Sequence, residues 1–122
     1  MSKIPDLTLR RAARVAKAVA TTCQRQARIF GSLGTLDPPP SLDRLIFICR
    51  RALAPLRDVV SIAWTEAEAL ERDALALPLS KAIVLRKIVA DLRDLARRGS
   101  TLLLKIEKRI GEMEAEDRDL PF

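Results

Sequence analysis

The sequence predicts an all-α fold, a three-helix bundle built on a long antiparallel helical hairpin, with residues 1–122 forming a single helical domain. Three observations lead there. Apolar residues recur in steps of four and three along two long segments, alternating without a break in the first of them, which is the spacing of one helix face. Aromatics are only 3%, so the 48% apolar content is mostly Leu, Ala, Ile and Val, the residues that fill helix interfaces. Glycine, proline and serine mark two breaks, near residues 31–40 and 77–80, and these divide the chain into three segments. A chain of 122 residues buries roughly two thirds of the surface its unfolded form exposes, enough for one modest core.

The first segment predicts a helix over about 7–30. Asp6 or Thr8 can cap its start, Pro5 precedes it, and Gly31 offers a left-handed exit. Residues 31–40 hold two glycines and three consecutive prolines and read as a loop. The second helix is expected over about 41–77, with Ser41 as N-cap and Asp43 in the first turn. Its seam is Leu42, Ile46, Cys49, Leu53, Leu56, Val60, Ala63, Ala67, Leu70, Ala74 and Leu77, a length of about 54 Å. The seam keeps its phase across Pro55, which predicts a kinked but continuous helix.

A tight turn, Leu77-Pro78-Leu79-Ser80, follows. Ser80 is the expected cap of the third helix, with Leu79 and Val84 as a hydrophobic staple. That helix is expected over about 80–115, along Leu85, Ile88, Leu92, Leu95, Gly99, Leu102, Ile106, Ile110 and Met113. Gly99-Ser100-Thr101 is its weak point, where a bend or short break can fall. Beyond Glu112 the chain turns acidic, and residues 116–122 are expected as a fraying tail. Two long segments joined by a short turn form an antiparallel hairpin, and the first segment packs along it. The alternative is half of a larger bundle, completed by another copy or a partner.

Composition narrows the function. There is no His, which removes the commonest general base and zinc ligand. Cys23 and Cys49 stand apart on apolar faces and read as buried small residues of a reducing compartment rather than a metal site or redox pair. The carboxylates fall at surface phases, and no phosphate-cradling glycine loop is present. The expectation is a protein that is not an enzyme and uses no cofactor or metal. No apolar run reaches the roughly 20 residues of a membrane span, and no secretory signal pattern opens the chain. The expected location is cytoplasmic.

The net charge of +6 is uneven. Residues 1–36 hold seven cations and one anion, residues 37–77 five and seven, and residues 78–122 ten and eight. On the first helix Arg10, Arg14, Lys17, Arg25 and Arg28 share an arc of about 80° over about 27 Å, with Arg11 at its flank. Leu9, Ala12, Ala16, Val19, Cys23, Ala27 and Phe30 form the opposite face. Arginine suits bidentate phosphate contacts, so the stripe points to a nucleic-acid backbone, RNA or DNA, held without base readout. The competing reading is a solvated face facing Glu66, Glu68, Glu71 and Asp73; an acidic protein or anionic lipid comes third. Arg86, Arg93 and Arg97 lie near Asp91 and Asp94 and read as ordinary ion-pairing surface.

A second function class uses the hairpin itself. Ala63, Ala67 and Ala74 thin the seam where a partner helix could enter, and Trp64 beside them is the best single anchor. This would be a protein-interaction regulator or adaptor, inhibitory or chaperone-like. In size, charge and helical character the whole chain is similar to the small helical subunits lining multi-subunit CRISPR effector complexes, and to small phage DNA-packaging proteins, with no shared motif. The similarity implies a structural subunit that tracks a nucleic-acid backbone and contacts protein neighbours or further copies of itself.

Overall fold

In a computed structural model, which describes residues 4–119, the chain folds into three long helices. They are α1 (Ile4–Ser32), α2 (Leu42–Ala74) and α3 (Leu79–Arg118), with one 3-10 turn at Leu33–Thr35. α2 and α3 form an antiparallel hairpin, and α1 packs into its groove against both. α1 runs antiparallel to α2 and parallel to α3, since Arg11 meets Glu66 while Asp6 meets Lys81.

The helix ends follow local chemistry, with several corrections to expectation. α1 begins at Ile4 rather than Leu7, because a proline is tolerated in a first turn, where the missing N–H has no partner to lose. Asp6 and Thr8 therefore lie inside the helix and do not cap it. Gly31 does not take a left-handed exit, for no glycine in the described chain has positive φ. The helix instead tightens into the 3-10 turn, where Ser32 Oγ donates to the Ile29 carbonyl and Thr35 Oγ1 to that of Ser32. Ser41 caps α2 as expected: its hydroxyl accepts from the Arg44 N–H at 3.2 Å.

α2 is continuous through Pro55. It stops at Ala74 rather than Leu77, because the residue before a proline is driven out of the helical region. The N–H groups of Leu75, Ala76 and Leu77 turn to the carbonyls of Arg72, Asp73 and Ala74. Pro78, not Ser80, holds the N-cap position of α3: its backbone is extended and its carbonyl accepts from Lys81 and Ala82. Leu79 and Val84 are both exposed rather than clasped as a staple. α3 runs unbroken past Gly99 and past Glu112 to Arg118, with Arg109 reaching Glu112 and Glu116 on its last turns. The remainder of the acidic tail, residues 120–122, lies outside the described residues.

The core divides in two. At the end holding the α2–α3 turn it is thin: Ala12, Ala63, Ala67, Ala74, Ala82 and Ala96 make up six of eleven buried residues, around Leu70, Leu85 and Leu92. At the other end Cys49, Leu53, Leu56, Ile106, Ile110 and Met113 fill it with larger groups. The α2 and α3 seams read from the sequence supply most of both clusters. Gly99 sits where the three helices meet. A Cβ placed there would lie 2.6 Å from Val60 Cγ2 and 3.4 Å from Cys23 Sγ. The glycine expected as a hinge is thus a site of close helix approach.

Candidate functional site

The five stripe residues Arg10, Arg14, Lys17, Arg25 and Arg28 lie on the outer side of α1, opposite its buried Ala12 and Val19, and all are exposed. None of the five forms an ion pair among the described residues. The neighbouring cations behave differently. Arg11, at the flank of the stripe, spans to α2 and pairs with Glu66 at 2.9 Å. Lys81 of α3 takes Asp6, whose carboxyl is held below its ordinary value by the hydrogen bond from Lys81, then by that residue's charge. Of the four acidic residues that could have faced the stripe, Glu66 goes to Arg11 and Glu71 to Arg93 of α3. Glu68 and Asp73 pair with nothing among the described residues. Two of these four anions are thus drawn into contacts between helices, and among the described residues no carboxylate pairs with the stripe, Arg10 acting on Asp6 only through its charge.

That commitment has a register. Arg50–Glu114, Arg57–Glu107 and Glu71–Arg93 cross the α2–α3 seam, stepping by seven or fourteen residues along both helices. The vacant rung falls at Trp64 and Ser100. Trp64 therefore stands on the α2–α3 edge and is 38% exposed. Ala63 and Ala67 have no exposed surface at all. They are the close packing of the hairpin, so of the candidate protein-contact residues Ala63, Trp64 and Ala67 only Trp64 presents a face to a partner. Arg93 is ion-paired as expected, though with Glu71, while Asp94 takes Arg98 instead.

The structure brings together a second group that sequence reasoning did not assemble. A groove of about 280 Å³ between the end of α1 and the start of α2 is lined by Gln26, Ile29, Arg44, Phe47, Ile48 and Arg51. Phe47 is half exposed, and the guanidinium carbons of Arg44 and Arg51 lie 5.4 Å and 5.7 Å from its ring centroid. Gln26 is buried in the core phase of α1, and its Oε1 has no hydrogen-bond partner. Arg25, one turn before Ile29 on α1, joins this groove to the stripe. Two sequence signals pointed here. Gln26 is a polar residue at an apolar phase, and Arg44, Phe47 and Arg51 are spaced to share one face of α2.

Cys23 and Cys49 are free thiols, the first half-buried and the second buried. Burial pushes both above the ordinary thiol value, so neither has the low pKa of a reactive cysteine. No helix among the described residues is long and apolar enough to cross a membrane. No protein-family model matches the chain, and no curated protein or solved structure is significantly similar to it.

Proposed function

We propose that this protein is a non-catalytic structural subunit that holds a nucleic-acid backbone within a larger, cytoplasmic nucleoprotein complex. The observation that carries the reading is the state of the α1 stripe: five exposed cations over about 27 Å, none neutralised by an ion pair among the described residues, beside an Arg11 that is. An ordinary solvated face mixes signs, whereas this one excludes carboxylates from Leu7 to Phe30. The cations of the stripe would replace counterions condensed on the phosphates of a strand, and the release of those counterions drives binding. The mechanism asked of the site is electrostatic only.

Contacts with neighbouring subunits fall to the α2–α3 turn, at the end of the bundle where α1 begins. Leu75 and Leu79 at the α2–α3 turn are 79% and 73% exposed, with Ile83 one turn further along α3. Apolar side chains gathered at the tip of a hairpin favour attachment to another protein or another copy of this chain. The same tip supports the second reading, an interaction adaptor that binds no nucleic acid.

Fluorescence anisotropy over a salt series separates the two. Four or five phosphate contacts give log K falling against log salt with a slope of about −4 on a duplex, or about −3 on a single strand. Arg14→Glu with Arg25→Glu should flatten that slope by about 2 units while leaving the thermal midpoint near wild type. Absence of binding at low salt would discard the nucleic-acid reading in favour of the adaptor.

A further inference from the structure

We infer that the groove between α1 and α2 receives one unstacked base of a single-stranded nucleic acid whose backbone lies along the α1 stripe. The inference rests on the function proposed above and names the form of nucleic acid that function would take. At about 280 Å³ the groove lies just under the range of roughly 300–1,000 Å³ that holds drug-sized ligands, which suits one planar ring.

Its lining has the chemistry a base requires. Gln26 is 7% exposed, and its Oε1 is buried without a partner. Buried amides in native proteins are nearly always hydrogen-bonded, so an orphan beside an open groove marks a bond that an occupant supplies. The amide carries a donor and an acceptor, and turning it over exchanges them without breaking a bond in the protein. Base edges present the same mixture. Ile29 and Ile48 supply apolar walls, and the Arg44 and Arg51 guanidinium groups, which lie over the Phe47 ring, supply cationic surface on which a base can stack, with Phe47 behind them.

Charge and position complete the case. Arg44 and Arg51 form no ion pair among the described residues, so both can meet a phosphate. Arg25 carries the stripe to the groove mouth, and a backbone tracking Arg14, Lys17, Arg25 and Arg28 passes beside it. A duplex keeps its bases paired and stacked and has none to place there, whereas a single strand does. An acidic peptide would satisfy the arginines and, through its own N–H groups, the Gln26 amide, but its aspartate and glutamate side chains have no aromatic face to stack in the groove.

The test compares two short oligomers of equal length by anisotropy: oligothymidylate, and the same backbone built from abasic nucleotides. Both carry the same phosphates. Wild type should bind the thymidylate about tenfold tighter at any one salt, with the same salt slope for both. Phe47→Ala and Gln26→Leu should each reduce that preference severalfold and leave the slope unchanged. Phe47 is half exposed, so its removal spares the core; Gln26→Leu keeps volume, and a thermal melt checks its fold. If Gln26→Leu does not fold, Phe47→Ala decides alone. Equal binding of the two oligomers, or a preference that survives Phe47→Ala, overturns the base pocket and leaves the stripe reading standing. So does tighter binding to a duplex, or displacement of thymidylate by polyglutamate as effectively as by unlabelled thymidylate. Binding of neither oligomer nor duplex overturns both readings.

Discussion

Replacing Gly99 by alanine tests how the three helices meet. In isolation the change favours α3, since alanine in a helix interior is better than glycine by about 1 kcal/mol. The added Cβ, however, would lie 2.6 Å from Val60 Cγ2, 3.4 Å from Cys23 Sγ and 3.9 Å from Leu56 Cδ1. The first distance is about 1 Å short of a normal carbon–carbon contact. Val60 is buried and β-branched, so its methyl cannot rotate away without leaving its preferred rotamer. Relief requires α2 and α3 to move apart, which loosens packing on both sides of the crossing. Overpacking of this kind costs about 1–3 kcal/mol. With the gain in helix propensity subtracted, Gly99→Ala should fail to stabilise and should lower stability by up to about 2 kcal/mol, a fall of up to roughly 8 °C in Tm for a domain of this size. Gly111 supplies the control. It lies on the same helix, is exposed, and nothing stands within 4 Å of a Cβ built there. Gly111→Ala should therefore stabilise by about 0.5–1 kcal/mol. Urea and thermal unfolding followed by helical circular dichroism read both. Val60→Ala, costly alone, should recover part of the loss when combined with Gly99→Ala. If Gly99→Ala stabilises as much as Gly111→Ala does, the close approach is not a property of the bundle and the reasoning fails.

Leu56 is fully buried in the large-residue half of the core, so Leu56→Ala should cost about 2–5 kcal/mol by urea denaturation; a cost under about 1 kcal/mol would mean that the cluster around it is not formed. Arg57→Glu should weaken the hairpin only slightly, by under about 1 kcal/mol, because both partners are more than a third exposed and screened. Combining it with Glu107→Arg should restore the loss, and a double variant no better than the single would contradict the register. Burial raises the folded-state pKa of Cys23 and Cys49 above 9.0, so between the unfolded and folded values the native state holds protons that the unfolded state has released. The stability these thiols contribute is fully present below pH 9.0 and is lost as pH rises above it. Cys23→Ala with Cys49→Ala should flatten that alkaline loss, and an unchanged profile would assign it to other groups.

The helices themselves were legible because their cause is local. Steps of four and three from Leu42 to Ala74, and from Leu85 to Met113, define a face that must be buried whatever it packs against. Ser41 was legible as a cap for the same reason, since the hydroxyl and the N–H it accepts from lie three residues apart. The basic stripe was equally readable, being a property of one helix.

Contacts between helices were a different matter, because they join residues distant along the chain. Gly99 carries the same sequence signal as a hinge or as a close approach, and only the position of Val60 and Cys23 across the interface decides for the second. Ala63 and Ala67 could line a groove or close one, and the nearness of α3 closes it. The acidic residues of α2 were available to the stripe on charge alone; Arg11 and Arg93 claim two of them through the rotational setting of the helices. Gln26 and Phe47 lie on separate helices, and no pattern in either one announces the other. The sequence by itself determined three amphipathic helices and a charged face, since hydrophobic periodicity and charge spacing are written within single segments. Tertiary structure alone decided which faces meet, which charges are spent on the bundle, and where a groove opens, because those depend on the relative rotation and separation of helices.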